Sequence, residues 1–210
     1  MQNFLFDVDG TLIDSEKMYM LSMQRALADF GHDFAYDQLS PTFGTTAMIA
    51  LHDVGITDDE APAVLKKWQV YEDDYYDTMH VYAGVEAVLK QLHENHRLKT
   101  AIVTSKLMPE YQRDLIDNFN LDQYMDARVT ADEVAHGKPS PESLNAAIHK
   151  LTLDPQITVY VGDTIYDQQA AHAAGLSFAL VTWGGPKDQA LIRDSNFVID
   201  KPHDLLNLID

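Results

Sequence analysis

Asn3-Phe-Leu-Phe-Asp-Val-Asp9-Gly10-Thr11 decides how the rest of the chain is read. An apolar run that ends in two acids, a glycine and a threonine reads as a strand buried on both faces. Its C-terminal end then delivers polar groups to a loop. Further strands follow at 98–104, near 127–129, at 158–162 and at 178–182, with a final edge strand expected at 196–199. Between them lie helical patterns at 85–94, 108–118, 141–151 and 167–174; Pro109 sits in the first turn of the second, and Gly175 closes the last. Strand and helix in alternation imply an α/β fold, a Rossmann-like doubly wound parallel sheet with right-handed crossovers. In such sheets a ligand lies outside the carboxyl ends of the strands.

Between the first strand and this alternation the composition changes. From about Ser15 to Met79 the pattern is helical, broken by turn signals at Gly31-His32-Asp33, Ser40-Pro41 and Val54-Gly55-Ile56-Thr57-Asp58. Three or four helices are expected there. The predicted organisation is an α/β core from 1–14 and 82–210, with a helical cap inserted at 15–81. Trp68, Tyr71, Tyr75 and Tyr76 fall near helical spacing and read as packing residues. Glu72-Asp73-Asp74 reads as a solvated charged face, and His93 and His96 as solvated helix positions without a third ligand.

The chain has 210 residues, 46% of them apolar, enough for a sizeable core. Acids outnumber bases 33 to 15, for a formal net charge of -18. That argues against nucleic acid and anionic membranes as partners, since both are held by a basic face. An anionic ligand would need local positive charge or a metal. The absence of cysteine excludes disulfides, thiolate zinc sites and thiol catalysis. No basic-then-apolar leader is seen, and no apolar run approaches the ~20 residues of a membrane span. The expectation is a soluble, cytoplasmic protein, and the acidic surface leans towards a monomer.

Four polar clusters follow the predicted strands: Asp7-Val-Asp9-Gly10-Thr11, Thr104-Ser105-Lys106, Gly137-Lys138-Pro-Ser-Pro, and Gly162-Asp163-Thr-Ile-Tyr-Asp167. The fold brings them to one rim of the sheet. Asp7 and Asp9, two apart on extended backbone, point the same way, which is costly without a cation. Taken alone they read equally well as turn or capping acids. Gly10 allows a tight turn and close approach of a ligand to backbone N–H groups. Asp163 and Asp167 read alone as helix-start acids. With Asp7 they make an oxygen-only set suited to Mg²⁺. Lys138 stands where such a cluster needs a fixed cation. Thr104 and Ser105 either hold phosphate oxygens or satisfy the strand end.

In this order the clusters resemble the haloacid dehalogenase superfamily of phosphohydrolases. Asp7-x-Asp9-Gly10-Thr11-Leu12-x-Asp14-Ser15 is similar to that family's first motif and Thr104 to its second. Lys138 in Gly-Lys-Pro-x-Pro-Glu142 is similar to the third, and Gly162-Asp163-x-x-x-Asp167 to the fourth. The resemblance spans essentially the whole chain and makes the helical block the cap of the phosphoglycolate-phosphatase-like and β-phosphoglucomutase-like branch. It implies Asp7 as nucleophile, forming an aspartyl-phosphate, and Asp9 as the acid that protonates the leaving alcohol and then activates water. Mg²⁺ would be held by Asp7, the Asp9 carbonyl and Asp163. Asp167 would orient a metal-bound water or Lys138 rather than bind directly. Gly10, Thr11, Thr104, Ser105 and Lys138 would hold the phosphoryl oxygens.

Asp9 and Thr11 point to phosphate esters, because dehalogenases of this fold have no leaving alcohol to protonate. Mutase relatives usually carry a bulky aliphatic residue where Thr11 stands and a histidine soon after the first motif. Here Tyr19 and Met20 occupy that region, and the nearest histidine is His32. The expected activity is therefore Mg²⁺-dependent hydrolysis of a small phosphorylated metabolite, with a phosphosugar mutase as the alternative. A receiver-type phospho-acceptor is a remote third, since it would place its acceptor on a middle strand of the sequence. Substrate choice is expected from the Pro41-Thr42-Phe43-Gly44-Thr45-Thr46 turn. Relatives often place a basic residue after this glycine to hold a second anionic group. Thr45 and Thr46 stand there instead, and they also read as capping residues of a helix start.

Overall fold

The computed structural model describes residues 1–185 and 187–209. In chain order the elements are β1 (Asn3–Phe6), β2 (Ile13–Asp14), α1 (Glu16–Asp29), α2 (Tyr36–Leu39), α3 (Ala47–Asp53), α4 (Ala61–Tyr75), β3 (His80–Val81) and α5 (Val85–Glu94). Next come β4 (Lys99–Val103), α6 (Met108–Tyr111), β5 (Ala127–Val129), α7 (Glu142–Leu151), β6 (Thr158–Gly162), α8 (Ile165–Ala173), β7 (Ser177–Val181), α9 (Gln189–Arg193) and β8 (Phe197–Ile199). Two compact units result, one of residues 1–12 with 81–210, the other of residues 13–80.

The larger unit is built on a six-stranded sheet in the order β5-β4-β1-β6-β7-β8, every pair parallel. Counting only these strands the order is 3-2-1-4-5-6, so the direction of winding reverses beside β1. The first strand in sequence is thus central in space, flanked in register by β4 and β6 (Phe6 opposite Ile102 and Val161). Phe4, Leu5 and Phe6 are fully buried, as a central parallel strand with helices on both faces requires. The Ala-rich α8 packs closely on β7 and β6. It is opened by Thr164 and closed by Gly175 at φ +74, whose successor Leu176 bonds back to Ala171 at 2.9 Å. The segment predicted as one helix over 108–118 departs from α geometry: after α6 it continues as a π-helix, Gln112–Asn118.

The smaller unit has four α-helices, with α1 packed on α4. Met20, Met23 and Leu27 on α1 face Ala61, Val64 and Trp68 on α4. One expectation fails here. Glu72 is not part of a solvated face but is 6% exposed, while Asp73 and Asp74 are exposed. Successive helix positions are turned by about a quarter circle, so three neighbouring acids cannot share one face, and Glu72 lies four residues after Trp68 on the packed side. β2 and β3 pair as a two-stranded sheet.

Candidate active site

The site begins where β1 stops. The Asp7 amide still follows the sheet, donating to Val161 O at 2.9 Å. The chain then turns, with Thr11 N and Leu12 N both bonded to Val8 O. Gly10 makes the turn possible at φ +78, and a Cβ there would stand 2.5 Å from a carboxylate oxygen of Asp163. Any other residue would strain the backbone and displace Asp163 as well. The loop after β7 braces this turn, as Trp183 Nε1 donates to Thr11 O at 3.0 Å. A Cβ on Gly184 would meet Gly10 O at 2.8 Å.

The end of β6 and the loop before α7 deliver the other acids and the lysine. Asp163 follows β6, and Asp167 sits in the first turn of α8. Asp167 Oδ2 accepts from the Thr164 amide (3.0 Å) and hydroxyl (2.6 Å), while the Asp167 amide bonds to the Thr164 hydroxyl. That is a capping box with an acid at its third position. Gly162 is needed beside it, because a Cβ would meet the Asp167 side chain at 2.7 Å. Asp7, Asp163 and Asp167 are all buried and each offers an oxygen within 4.8 Å of the others. Lys138 reaches into this group from the loop before α7. Its ammonium lies 2.8 Å from Asp7 Oδ1 and 2.6 Å from Asp167 Oδ1, and donates to the Tyr160 hydroxyl at 3.1 Å. All three ammonium protons are thereby used.

Two lysines among three buried carboxylates, Lys138 between Asp7 and Asp167 and Lys187 beside Asp163, cannot keep all of them charged. Burial, with the neighbouring carboxylates against the pull of Lys138, pushes Asp7 up to about 8. Burial also raises Asp163 to about 6, where Lys187, 2.9 Å away, opposes it. Asp167 holds below the ordinary carboxylate value: its burial is outweighed by Lys138 and by the Thr164 bonds. Lys138 stays charged well above the usual lysine range, because Asp167 and Asp7 outweigh its burial. The cluster is short of positive charge, and its donors are all oxygen, so it fits a hard divalent cation.

Thr11 is buried with its hydroxyl 3.3 Å from Asp163 Oδ1. Thr104 is buried, and its hydroxyl oxygen accepts from the Lys106 amide at 3.2 Å. Ser105 is exposed. Asp9 is not one of the three clustered carboxylates and pairs with Lys106 at 3.1 Å. Phe43, Gly44, Thr45 and Thr46 belong to the smaller unit. There Phe43 packs near Tyr19, with ring centroids 6.3 Å apart, and Gly44 has φ +82. Thr45 bonds to Thr42 O at 2.7 Å, and Thr46 caps α3 through Ile49 N.

Lys106, Asp114, Tyr160 and Lys187 also enter the site region and had no role from sequence. Tyr160 lies in an apolar strand and reads as core. Lys187 and Asp114 carry no local signal. Lys106 closes the Thr104-Ser105-Lys106 cluster, but a lysine just past a strand end ordinarily reads as solvated.

A parallel sheet with an oxygen-only acidic cluster and a fixed lysine at its carboxyl edge defines a phosphoryl-transfer class of site. The profile of the haloacid dehalogenase-like hydrolases matches residues 4–181, and the chain belongs to that family. It is a phosphatase of the family. It is 32% identical to a phosphoglycolate phosphatase of Aquifex aeolicus, over the whole chain and 97% of that protein. It is 29% identical to the pyrophosphatase PpaX of Bacillus pumilus, covering 98% of this chain and 94% of the other. A crystal structure of a candidate phosphoglycolate phosphatase from Lactobacillus plantarum superposes with a TM-score of 0.90, at 30% identity and 99% coverage of both chains. Among the described residues no helix is long and apolar enough to cross a membrane.

Proposed function

We propose that this chain hydrolyses the phosphate ester of a small metabolite in a Mg²⁺-dependent reaction that passes through a phosphoryl group on Asp7. The observation that carries the reading is the buried Asp7, Asp163 and Asp167 cluster within 4.8 Å, served by a lysine that Asp7 and Asp167 share. Asp7, Asp163 and the Asp9 carbonyl would hold the cation, with Asp167 fixing Lys138. When bound, the ion neutralises the nucleophile and the phosphoryl oxygens together.

The remaining chemistry belongs to the chain. A carboxylate oxygen of Asp7 attacks phosphorus in line, the Asp7–phosphorus bond forms, and the ester P–O bond breaks. Asp9 gives its proton to the departing alkoxide. It then takes a proton from water, whose oxygen attacks phosphorus, releasing inorganic phosphate and restoring Asp7. Acid–base help of this kind is worth roughly 10²–10⁴-fold. Lys138, turning to them the N–H that it gives Asp7 in the free site, and Thr104 donate to the phosphoryl oxygens as charge shifts between them.

Substrate selection is assigned to the smaller unit. Its 42–46 turn offers threonines rather than a cation, which suits a substrate whose remainder is small or neutral. The test is phosphate release from phosphoglycolate, pyrophosphate, sugar phosphates and nucleoside monophosphates, with Mg²⁺ and with EDTA. Release that needs Mg²⁺ and runs far ahead with one compound is expected. Release indifferent to EDTA, or none from any compound, overturns the proposal. Interconversion of glucose 1-phosphate and glucose 6-phosphate without release assigns the chain to the mutases instead.

A further inference from the structure

Lys106 is 2% exposed, although it lies three residues past the end of β4 in a loop. Its backbone is held on both sides: the amide donates to Thr104 Oγ1 at 3.2 Å and the carbonyl accepts from Ala131 N at 2.9 Å. From this anchored position the ammonium lies 3.1 Å from Asp9 Oδ1 and 2.9 Å from Asp114 Oδ2. Asp114 is fully buried on the π-helix, and its other oxygen pairs with Arg113 Nε at 2.7 Å. π turns inside helices fall frequently at functional sites. This one sets Asp114 behind Lys106.

We infer that Lys106 is a positioning residue that holds the Asp9 side chain in the orientation needed for proton transfer, with Asp114 fixing Lys106 in turn. This rests on the reading of Asp9 as the acid–base group and adds to it a mechanical cause for the Asp9 orientation. Asp9 itself is a fifth exposed on its side chain, and without the clamp a short carboxylate at a loop tip has several rotamers open to it. The clamp carries two acids and two bases, Asp9, Lys106, Asp114 and Arg113. It therefore fixes a direction without adding net charge beside the phosphoryl site. It also divides the work of the lysines, since Lys138 serves Asp7 and Asp167 and Lys187 serves Asp163, whereas Lys106 serves Asp9.

A positioning role for proton donation has a signature that a merely structural role lacks. The kcat/KM value runs from free enzyme to departure of the leaving group. An alkyl phosphate must have its alkoxide protonated in that interval. A p-nitrophenyl phosphate releases a phenolate already stable as an anion at neutral pH. The experiment compares kcat/KM for p-nitrophenyl phosphate with that for phosphoglycolate, or for the fastest alkyl phosphate of the panel above, in wild type and in four variants. These are Asp9→Asn, Asp114→Asn, Lys106→Met and the double variant Lys106→Met/Asp114→Asn. The double variant removes the lysine without leaving Asp114 buried and charged, and so stands in if Lys106→Met does not fold.

Asp9→Asn is expected to lose roughly 10²–10⁴-fold on the alkyl ester and far less on the aryl ester. Lys106→Met and the double variant should repeat that selectivity at about 10–100-fold, the scale of a displaced acid–base group. Asp114→Asn should give a smaller loss of the same kind. If Asp9→Asn discriminates between the esters but both Lys106 variants lose equally on each, or lose nothing, the positioning role is overturned and the Asp9 reading stands. If Asp9→Asn itself shows no discrimination, the acid–base reading of Asp9 fails, and the inference with it.

Discussion

The two units of this chain treat charge in opposite ways. In the helical unit ion pairs stay at the surface, as with Arg25 and Asp74, whose side chains are 46% and 53% exposed. Its interior is made of Met20, Met23, Leu27, Leu39, Leu51, Val64 and Trp68, with Glu72 as the one buried acid among its described residues. At the carboxyl edge of the α/β sheet Asp7, Asp114, Asp163 and Asp167 are instead buried, with Lys106 and Lys138 held among them. Burying charge is expensive, and a paired charge in a protein interior is often no more stable than an apolar replacement. An arrangement of this cost, at one edge of one unit, is what supports the proposed placing of the active site there.

Removing single groups sharpens that contrast. The largest effect is expected from Asp7→Asn, which should lower phosphate release by on the order of 10⁴-fold or more while leaving the circular dichroism spectrum unchanged. Appreciable residual turnover would remove Asp7 from the nucleophile role. Next comes Lys138→Met, which leaves Asp7 and Asp167 without their shared cation. In the metal-free protein at pH 8 it should cost about 3–5 kcal/mol in urea unfolding. An unchanged midpoint would mean that the two acids do not depend on this lysine.

A pH effect of smaller size follows from the raised acids. Asp7 is pushed up to about 8 and Asp163 to about 6, each from 3.8 in a solvated carboxyl. Their folded values lie above the unfolded ones, so the folded state binds more protons between these limits. The stability they contribute is complete at acid pH and lost as pH rises through about 6 and then about 8. A divalent cation replaces those protons, so the rise in melting temperature on adding Mg²⁺ should be greater at pH 8 than at pH 6. A shift that is equal at both values breaks the link between these carboxyls and the cation. The smallest effect is expected in the helical unit. Asp74→Ala removes an exposed pair and should leave both the urea midpoint and turnover at wild-type values. A clear loss of either would mean that charge in this unit matters more than its exposure suggests.

Much of the core was legible because its signals are local. The run from Asn3 to Asp9 marks the central strand, 85–94 and 158–162 coincide with α5 and β6, and Gly175 closes α8 as a glycine in the left-handed region does. The acids of the first and fourth clusters were visible because each follows an apolar strand directly. Glu72 was misread because adjacency in sequence hid its place on a helix whose buried face is set by α1. Lys106, Tyr160 and Lys187 went unassigned for a related reason. Each has a partner far away along the chain, Lys106 reaching Asp9 at 3.1 Å, Tyr160 reaching Val103 O at 3.0 Å and Lys187 reaching Asp163 at 2.9 Å.

Hydropathy period and turn chemistry by themselves determined the parallel α/β sheet, the helical insertion after its first strand, and the residue types at the strand ends. Those properties depend on neighbours a few positions apart. Which acid shares which lysine was decided only by the tertiary structure. The sheet order brings β1, β4 and β6 side by side, and the π-helix turns Asp114 towards Lys106. An ion pair depends on distances of a few ångströms across the fold, and no local pattern encodes them.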